Sequence, residues 1–259
     1  MDEGLTRRAA EHLWSAHGRR EDYANLPTEL APGNIDEAYA IQDAFQAMAE
    51  RDRGPIAGWK IATTTKVMQT LMGIGHPCAG AIFESTVHRS PARLVSADYV
   101  SLKIECELAF RLRADLAPAG RPFTPGNVGA AVESVMPAFE LIDDRNAVYK
   151  ESAAWSLIAD NCWNQGVVLG EPRKLPSDQD LDALSGRLEI GDRPALEGKA
   201  DGPLGALAWV ANLMAARGHG LGRGMIVMTG SLIPTTAVPP GESARFAVGS
   251  LGEVRLAVV

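Results

Sequence analysis

Apolar residues recur at helical spacing through the first fifty positions of the chain. Leu5, Ala9, Leu13 and Trp14 fall on one side of a first helix, and Ile35, Ala38, Tyr39, Gln42, Phe45 and Met48 trace a stripe along a second. Asn34 stands three residues before Glu37, the spacing of a capping box, so the second helix starts there. Gly54-Pro55 stops it, and Pro27 with Pro32-Gly33 marks the loop between the two helices. From Ile56 onward the texture changes to short strands broken by Gly and Pro. The segments 58–61, 104–112, 135–142, 166–169, 187–190, 225–229, 244–248 and 253–259 read as strands. Short helices are expected at 66–72, ending at Gly73, and at 128–132. A longer one carries Leu204, Leu207, Ala208, Ala211 and Met214 on one side and ends at Arg217-Gly218, a basic last turn with a glycine cap. No repeat, low-complexity tract or composition break divides the chain. The pattern predicts a single α+β domain over 1–259, with a helical N-terminal cap at 1–55 and a β-rich core at 56–259.

Composition narrows the function classes. With 25 Lys+Arg against 32 Asp+Glu the formal net charge is −7, which argues against a nucleic-acid footprint and against attraction to an anionic membrane. The longest helix-compatible apolar stretch, 204–216, is shorter than the roughly 20 residues a bilayer span needs and contains Asn212. The opening MDEGLTRRAAEHLW lacks an apolar core and a small-residue cleavage site, so no secretory signal is expected. Cys78, Cys106 and Cys162 are odd in number and without CxxC spacing, and the five histidines are scattered. Neither a disulfide framework nor a zinc site is expected, and a reducing cytoplasm is the default compartment. No GxGxxG follows a strand, and GxxxxGK[ST] and GxSxG are missing, so dinucleotide, P-loop and α/β-hydrolase readings lose their usual support.

The informative chemistry lies in 104–112. On a strand, Ile104, Cys106, Leu108, Phe110 and Leu112 form one apolar row while Glu105 and Glu107 share the other face. Their Cα atoms are then roughly 6.5 Å apart, a span that both carboxylates can close onto one cation at about 2.1 Å each. The same pattern also describes a solvated strand face carrying two acids. Glu140 adds a third carboxylate inside the apolar run Met136-Pro137-Ala138-Phe139-Glu140-Leu141-Ile142, where an unpaired charge is expensive to bury. Three such groups in one site repel by about 4 kcal/mol per pair at 4 Å and an effective dielectric of 20, and a hard divalent cation turns that repulsion into attraction. All-oxygen ligands favour Mg²⁺ or Mn²⁺ over Zn²⁺. Lys60 is a lone cation in the uncharged stretch 57–65, either a pocket amine or a strand-edge gatekeeper. Asp160-Asn161 and Thr229-Gly230-Ser231 follow plausible element ends, where small polar residues serve turns as well as ligands.

Taken in order, Ala38-Tyr39-Ala40-Ile41-Gln42, Gly58-Trp59-Lys60-Ile61, Glu105-Cys106-Glu107-Leu108-Ala109-Phe110, Pro137-Ala138-Phe139-Glu140-Leu141-Ile142-Asp143, Asp160-Asn161 and Thr229-Gly230-Ser231-Leu232 resemble the 2-keto-4-pentenoate hydratase and 4-oxalocrotonate decarboxylase group of the fumarylacetoacetate hydrolase superfamily. The resemblance runs from about Ile35 to the C-terminus. It implies a β-rich mixed-sheet fold and Mg²⁺ or Mn²⁺ held by Glu105, Glu107 and Glu140. It also implies a catalytic Lys60, a substrate pocket reached by Asp160, Asn161, Trp163, Thr229 and Ser231, and a homo-oligomer. The activity implied is hydration of a small 2-hydroxy-dienoate or 2-oxo-alkenoate in aromatic-compound catabolism. The alternatives are decarboxylation of a 2-oxo-dioic acid, carbon-carbon bond hydrolysis, and a non-catalytic keto-acid binder. Three positions depart from the group's pattern. Ala62-Thr63-Thr64 replaces Gly-Leu-Thr, Cys78 stands where an aspartate is usual, and Trp163 stands where small residues are usual. The last predicts a pocket narrowed towards short or flat substrates.

Overall fold

Asp2 and Asn34 close the first turns of the two N-terminal helices in the computed structural model, which describes residues 1–118, 120–175 and 180–259. In α1 (Glu3–Gly18) the Asp2 carboxylate accepts from the Leu5 amide, and in α2 (Ile35–Arg53) the Asn34 side chain accepts from the Glu37 amide, the two orphan donors that such caps satisfy. Leu13 of α1 meets Ile41 and Phe45 of α2, and Ala159 seals the cluster from a third helix further along the chain.

Two sheets make up the rest. The strands are β1 (Ile56–Ala62), β2 (Cys78–Phe83), β3 (Val87–Arg89), β4 (Ala92–Leu94), β5 (Leu102–Leu112), β6 (Val132–Asp143), β7 (Asn164–Leu169), β8 (Arg173–Lys174), β9 (Ser185–Ile190), β10 (Leu196–Lys199), β11 (Ile226–Ala237), β12 (Ser243–Val248) and β13 (Gly252–Val258). The larger sheet runs β2-β1-β11-β5-β6-β7-β3 with β8 beside β6, and the smaller runs β10-β9-β12-β13-β4. The apolar row of β5 faces the smaller sheet: Ile104, Cys106, Leu108, Phe110 and Leu112 bury against Phe139 of β6, Leu188 of β9 and Phe246 of β12. Period-two alternation sends the other row, Glu105, Glu107 and Ala109, to the opposite face. There Ala109 joins Ile82, Met136, Ala138, Val167, Ile226 and Met228 in a separate cluster.

Four further helices complete the chain: α3 (Lys66–Met72), α4 (Pro125–Val128), α5 (Ala154–Ala159) and α6 (Pro203–Ala216). The helix expected at 128–132 is instead the single turn α4 and a 3₁₀ turn at Gly129–Ala131, with β6 already begun at Val132. Val128 and Val132 imitate a helical stripe because both are buried, one from each element. The strand expected at 225–229 continues to Ala237 through bulges that interrupt its alternation. No helix among the described residues is long and apolar enough to cross a membrane.

Candidate active site

Strands β5 and β6 pair antiparallel with Glu105 directly opposite Glu140 and Glu107 opposite Ala138. That register gathers the three acids on one sheet face, with one oxygen from each lying within 4.8 Å of the others. Glu107 and Glu140 are fully buried, and Glu105 is half-buried.

Each carboxylate is anchored by an uncharged neighbour. Glu107 Oε2 accepts from the Gly230 amide at 2.8 Å, Glu140 Oε1 accepts from Asn164 Nδ2 at 2.8 Å, and Glu105 Oε1 accepts from the Thr235 hydroxyl. The Gly230 anchor depends on a bulge in β11, where Gly230 adopts φ +97°. Only glycine takes that conformation without strain, and a Cβ there would stand 3.1 Å from Thr64 Cγ2. Two oxygens remain without partners, Glu107 Oε1 and Glu140 Oε2, both fully buried. A buried anionic oxygen left in this way is costly, and a cation bound among the three carboxylates would remove the cost. The donor set is oxygen only, which fits Mg²⁺ or Mn²⁺ held by Glu105, Glu107 and Glu140.

Lys60 approaches the same floor from β1. Trp59 and Ile61 point into the inter-sheet core, so alternation turns Lys60 to the face of the acids. It is 2% exposed, and its Nζ lies 3.0 Å from Glu140 Oε1. Burial works against the ammonium, but Glu140, Cys162 and Glu105 outweigh it and hold Lys60 above its ordinary range. Glu107 and Glu140 shift upward, the other way from the usual carboxylate. Burial, then the charges of Glu140 and Glu105, push Glu107 well up, and the Gly230 amide offsets only part of this. Burial pushes Glu140 up to about 7 despite the pull of Lys60.

Above the acids opens a cleft of about 590 Å³, within the range of small-molecule sites. Its walls come from residues 60–65 at the end of β1 and just beyond it, from Val67, Met68 and Met72 of α3, from Tyr149, Leu157, Cys162 and Trp163, and from 230–235 of β11. The wall at 162–163 is made by an unusual turn, in which Asn161, Cys162 and Trp163 all have positive φ between 50° and 60°. Three successive non-glycine residues in that region are strained, and side-chain bonds hold them there. Asn161 Oδ1 accepts from the Ala81 amide and from Gln46, and its Nδ2 donates to the Ala81 carbonyl.

Asn161, expected to reach substrate, instead spends its side chain clipping the turn to β2 and is not among the residues lining the cleft. Asp160 is likewise turned away, because its two oxygens are taken by His17 Nε2 at 2.5 Å and Arg145 Nη2 at 2.6 Å. Burial alone would raise this carboxyl, but His17 and Arg145 hold it below the usual range. The Thr229 hydroxyl donates to the Leu108 carbonyl and lies off the cleft wall. Ser231 does line the cleft, but its hydroxyl staples the bulge by donating to Ile233 O at 2.6 Å. Trp163 lies on the wall and packs on the rings of Tyr23 and Tyr149, with centroids at 5.1 and 5.3 Å. Cys78, in the position of the expected acid, is buried with its Sγ 3.5 Å from that of Cys162 and 3.4 Å from the Thr63 hydroxyl.

Thr235, Asn164 and the wall of α3 belong to the site and were not singled out from sequence as site residues, and Gly230 was named only as the middle of the triplet 229–231. Asn164 follows Trp163 at the start of β7, and its position beside Glu140 is a matter of β6–β7 pairing that no local pattern announces.

No family model matches the chain. It is 30% identical over 258 residues to a 2-keto-4-pentenoate hydratase of Paraburkholderia phymatum, covering 98% of this chain and 97% of that protein. In fold it is similar to the 4-oxalocrotonate decarboxylase of Pseudomonas putida G7 complexed with magnesium and adipate, with a TM-score of 0.90 at 24% identity over 100% of this chain and 99% of that one. A more distant likeness is to fumarylpyruvate hydrolase of Pseudomonas aeruginosa in complex with Mn²⁺ and pyruvate, with a TM-score of 0.58 at 14% identity over 78% and 88% of the two chains.

Proposed function

The chain belongs to the 2-keto-4-pentenoate hydratase and 4-oxalocrotonate decarboxylase group of the fumarylacetoacetate hydrolase superfamily, and we propose from this that it is a metal-dependent lyase adding water to a small 2-hydroxy-dienoate or 2-oxo-alkenoate such as 2-keto-4-pentenoate. The observation that carries the reading is the pair of unpartnered buried oxygens, Glu107 Oε1 and Glu140 Oε2, beside a charged Lys60 at the foot of a cleft. Mg²⁺ or Mn²⁺ held by Glu105, Glu107 and Glu140 would supply Lewis acidity towards the carboxylate and 2-oxygen of a 2-oxo acid.

The chain's own groups do the rest. Lys60 gives one ammonium hydrogen to Glu140, which leaves two to hold an anionic oxygen of the substrate and to move a proton at that end. Burial of Glu107, Glu140 and Lys60 keeps bulk water from that part of the charged floor, so their contacts act in a low dielectric. Gly230, Asn164 and Thr235 hold the three carboxylates in place. The apolar wall of α3, Leu157 and Trp163 orients the carbon chain, and water adds across its remote double bond once that bond is conjugated with the 2-oxo group.

A panel of 2-oxo acids assayed with Mg²⁺ and Mn²⁺, with products identified, tests the reading. A 4-hydroxy-2-oxo acid product formed only with a divalent ion is expected, and no turnover of any member with either ion would overturn it. Carbon dioxide release from a 2-oxo-dioic acid without hydration would move the assignment to the decarboxylase reading, to which Cys78 in place of the usual acid lends its weight. The free thiols of Cys78 and Cys162 fit a reducing cytoplasm. Family membership supports a homo-oligomer and a place in aromatic-compound catabolism.

A further inference from the structure

Charge is confined to one end of the cleft. Among the described residues lining it, Lys60 and Glu105 are the only charged side chains. Both belong to the carboxylate floor, where Lys60 is already engaged by Glu140 and Glu105 takes the Thr235 hydroxyl. The opposite wall is built by Met68, Met72, Ile142, Leu157 and Trp163, continuous with an apolar cluster of the core. At the mouth, Val67 of α3 is 78% exposed and extends the apolar lip into solvent.

The neutral polar groups along the cleft offer little compensation. Tyr149 donates its hydroxyl to Asp144, Thr63 to the Ala62 carbonyl, and Ser231 to the Ile233 carbonyl. Thr64 and Thr65 keep hydroxyl hydrogens that no partner accepts, and the Trp163 indole Nε1 is buried without a partner; all three groups are uncharged.

From this asymmetry we infer that the cleft selects 2-oxo monocarboxylic acids whose far end is an alkyl or aryl group, and rejects dioic acids of the same length. The inference rests on the proposed reading that the 2-oxo-acid end sits at Glu105, Glu107, Glu140 and Lys60. A second carboxylate carried on the tail would leave water for a wall with no cation and a single neutral fixed donor, the unpartnered indole N–H of Trp163, too little to replace the hydration of a charge, while an uncharged tail loses only unfavourable contact with water. The 4-oxalocrotonate decarboxylase of similar fold was solved with adipate, a dioate, so the shared fold does not dictate the tail, and the side chains lining the cleft must.

The test uses the full chain loaded with Mg²⁺ and compares kcat/KM for 2-hydroxyhepta-2,4-dienoate and 2-hydroxyhepta-2,4-diene-1,7-dioate. A preference of about 100-fold for the monoacid is expected, the size that an uncompensated polar group imposes on discrimination. Met68 is partly exposed on α3, so Met68→Arg places a cation on the wall with little demand on the core. That variant should narrow the ratio of the two specificity constants by about tenfold, with improved use of the dioate as the readout. Competition or fluorescence titration with the unreactive pair 2-oxohexanoate and 2-oxoadipate should show the same order of affinity. Equal or better use of the dioate overturns the inference while leaving the hydratase reading in place. Absence of turnover with every 2-oxo acid overturns that reading instead, and the titration then decides the tail preference by itself, equal affinities counting against it.

Discussion

Replacing Glu107 by Gln should stabilise the protein without metal and destroy its response to metal. One oxygen of each of Glu105, Glu107 and Glu140 lies within 4.8 Å of the others. Two unit charges at that distance repel by about 3.5 kcal/mol at an effective dielectric of 20. Glu107 takes part in two of the three pairs, so with all three groups ionised its removal relieves about 7 kcal/mol. Glu107 and Glu140 already escape part of the repulsion by holding protons more tightly than ordinary carboxyls, which reduces the gain to about 1–3 kcal/mol. Gln keeps an oxygen for the Gly230 amide and puts an NH₂ where Oε1 has no partner. Thermal melts in EDTA should show the variant higher by about 2–12 °C, taking about 2–4 °C per kcal/mol for a chain of this size. With Mg²⁺ at a hundredfold excess over its Kd the wild type should gain about 2.7 kcal/mol, and the variant should gain almost nothing. A metal-free variant no more stable than wild type, together with a wild type indifferent to Mg²⁺ and Mn²⁺, would refute the claim that the three acids form a cation site.

Four other outcomes are open to measurement. The stability of the metal-free protein should fall as pH rises from about 4.5 to about 7, because Glu140 holds its proton more tightly folded than unfolded, so its contribution is complete below the unfolded value and lost through the folded one. That loss is about 3 kcal/mol, and saturating Mg²⁺ should flatten it in pH-dependent denaturant titrations. Lys60→Met, which keeps the stem and deletes the charge, should cut kcat/KM on the true substrate by about 100-fold with an unaltered circular dichroism spectrum, and unchanged kinetics would return Lys60 to a structural role. Asp160→Asn should cost about 3–5 kcal/mol by leaving Arg145 buried without its counter-ion, while the ratio of specificity constants across substrates stays constant, since Asp160 does not face the cleft. Trp163→Ser should admit bulkier tails by about 10- to 200-fold in relative kcat/KM, and a variant that only melts earlier would assign the ring to packing against Tyr23 and Tyr149.

Much of this architecture was legible because its causes are local. The row Ile104 to Leu112 alternates in sequence since one face of β5 meets the smaller sheet and the other the acids. The helix at Lys66–Met72 is bounded by Thr65, which caps its first turn, and by Gly73 in the left-handed conformation, both readable from residue type. Strand β2 was not found, because Cys78–Phe83 is buried on both faces and its small residues show neither alternation nor a long apolar run. The polar residues of the site divide on the same principle. Glu140 and Lys60 stood out as charges in apolar surroundings, whatever their partners. Asp160 and Asn161 are small polar groups at an element end and Thr229 lies at a bulge of β11, places where the backbone and its neighbours compete with a ligand for their hydrogen bonds; in all three the fold takes them.

What no local pattern carries is register. Glu105 faces Glu140 only because β5 and β6 align Leu102 with Asp143 and keep step from there through Arg111 and Ser134. A shift of one residue would send Glu140 to the apolar inter-sheet side and bring Leu141 to the acids. Phe139 and Leu141 oppose that shift, since both are anchored in the core between the sheets, so the hydrophobic face of β6 sets the position of its carboxylate. Burial of that face stabilises by about 1.5–3 kcal/mol per large side chain, comparable to the repulsion among the three acids. The sheet can therefore hold the glutamates together before a cation arrives, and the strain of that arrangement is what an arriving cation relieves.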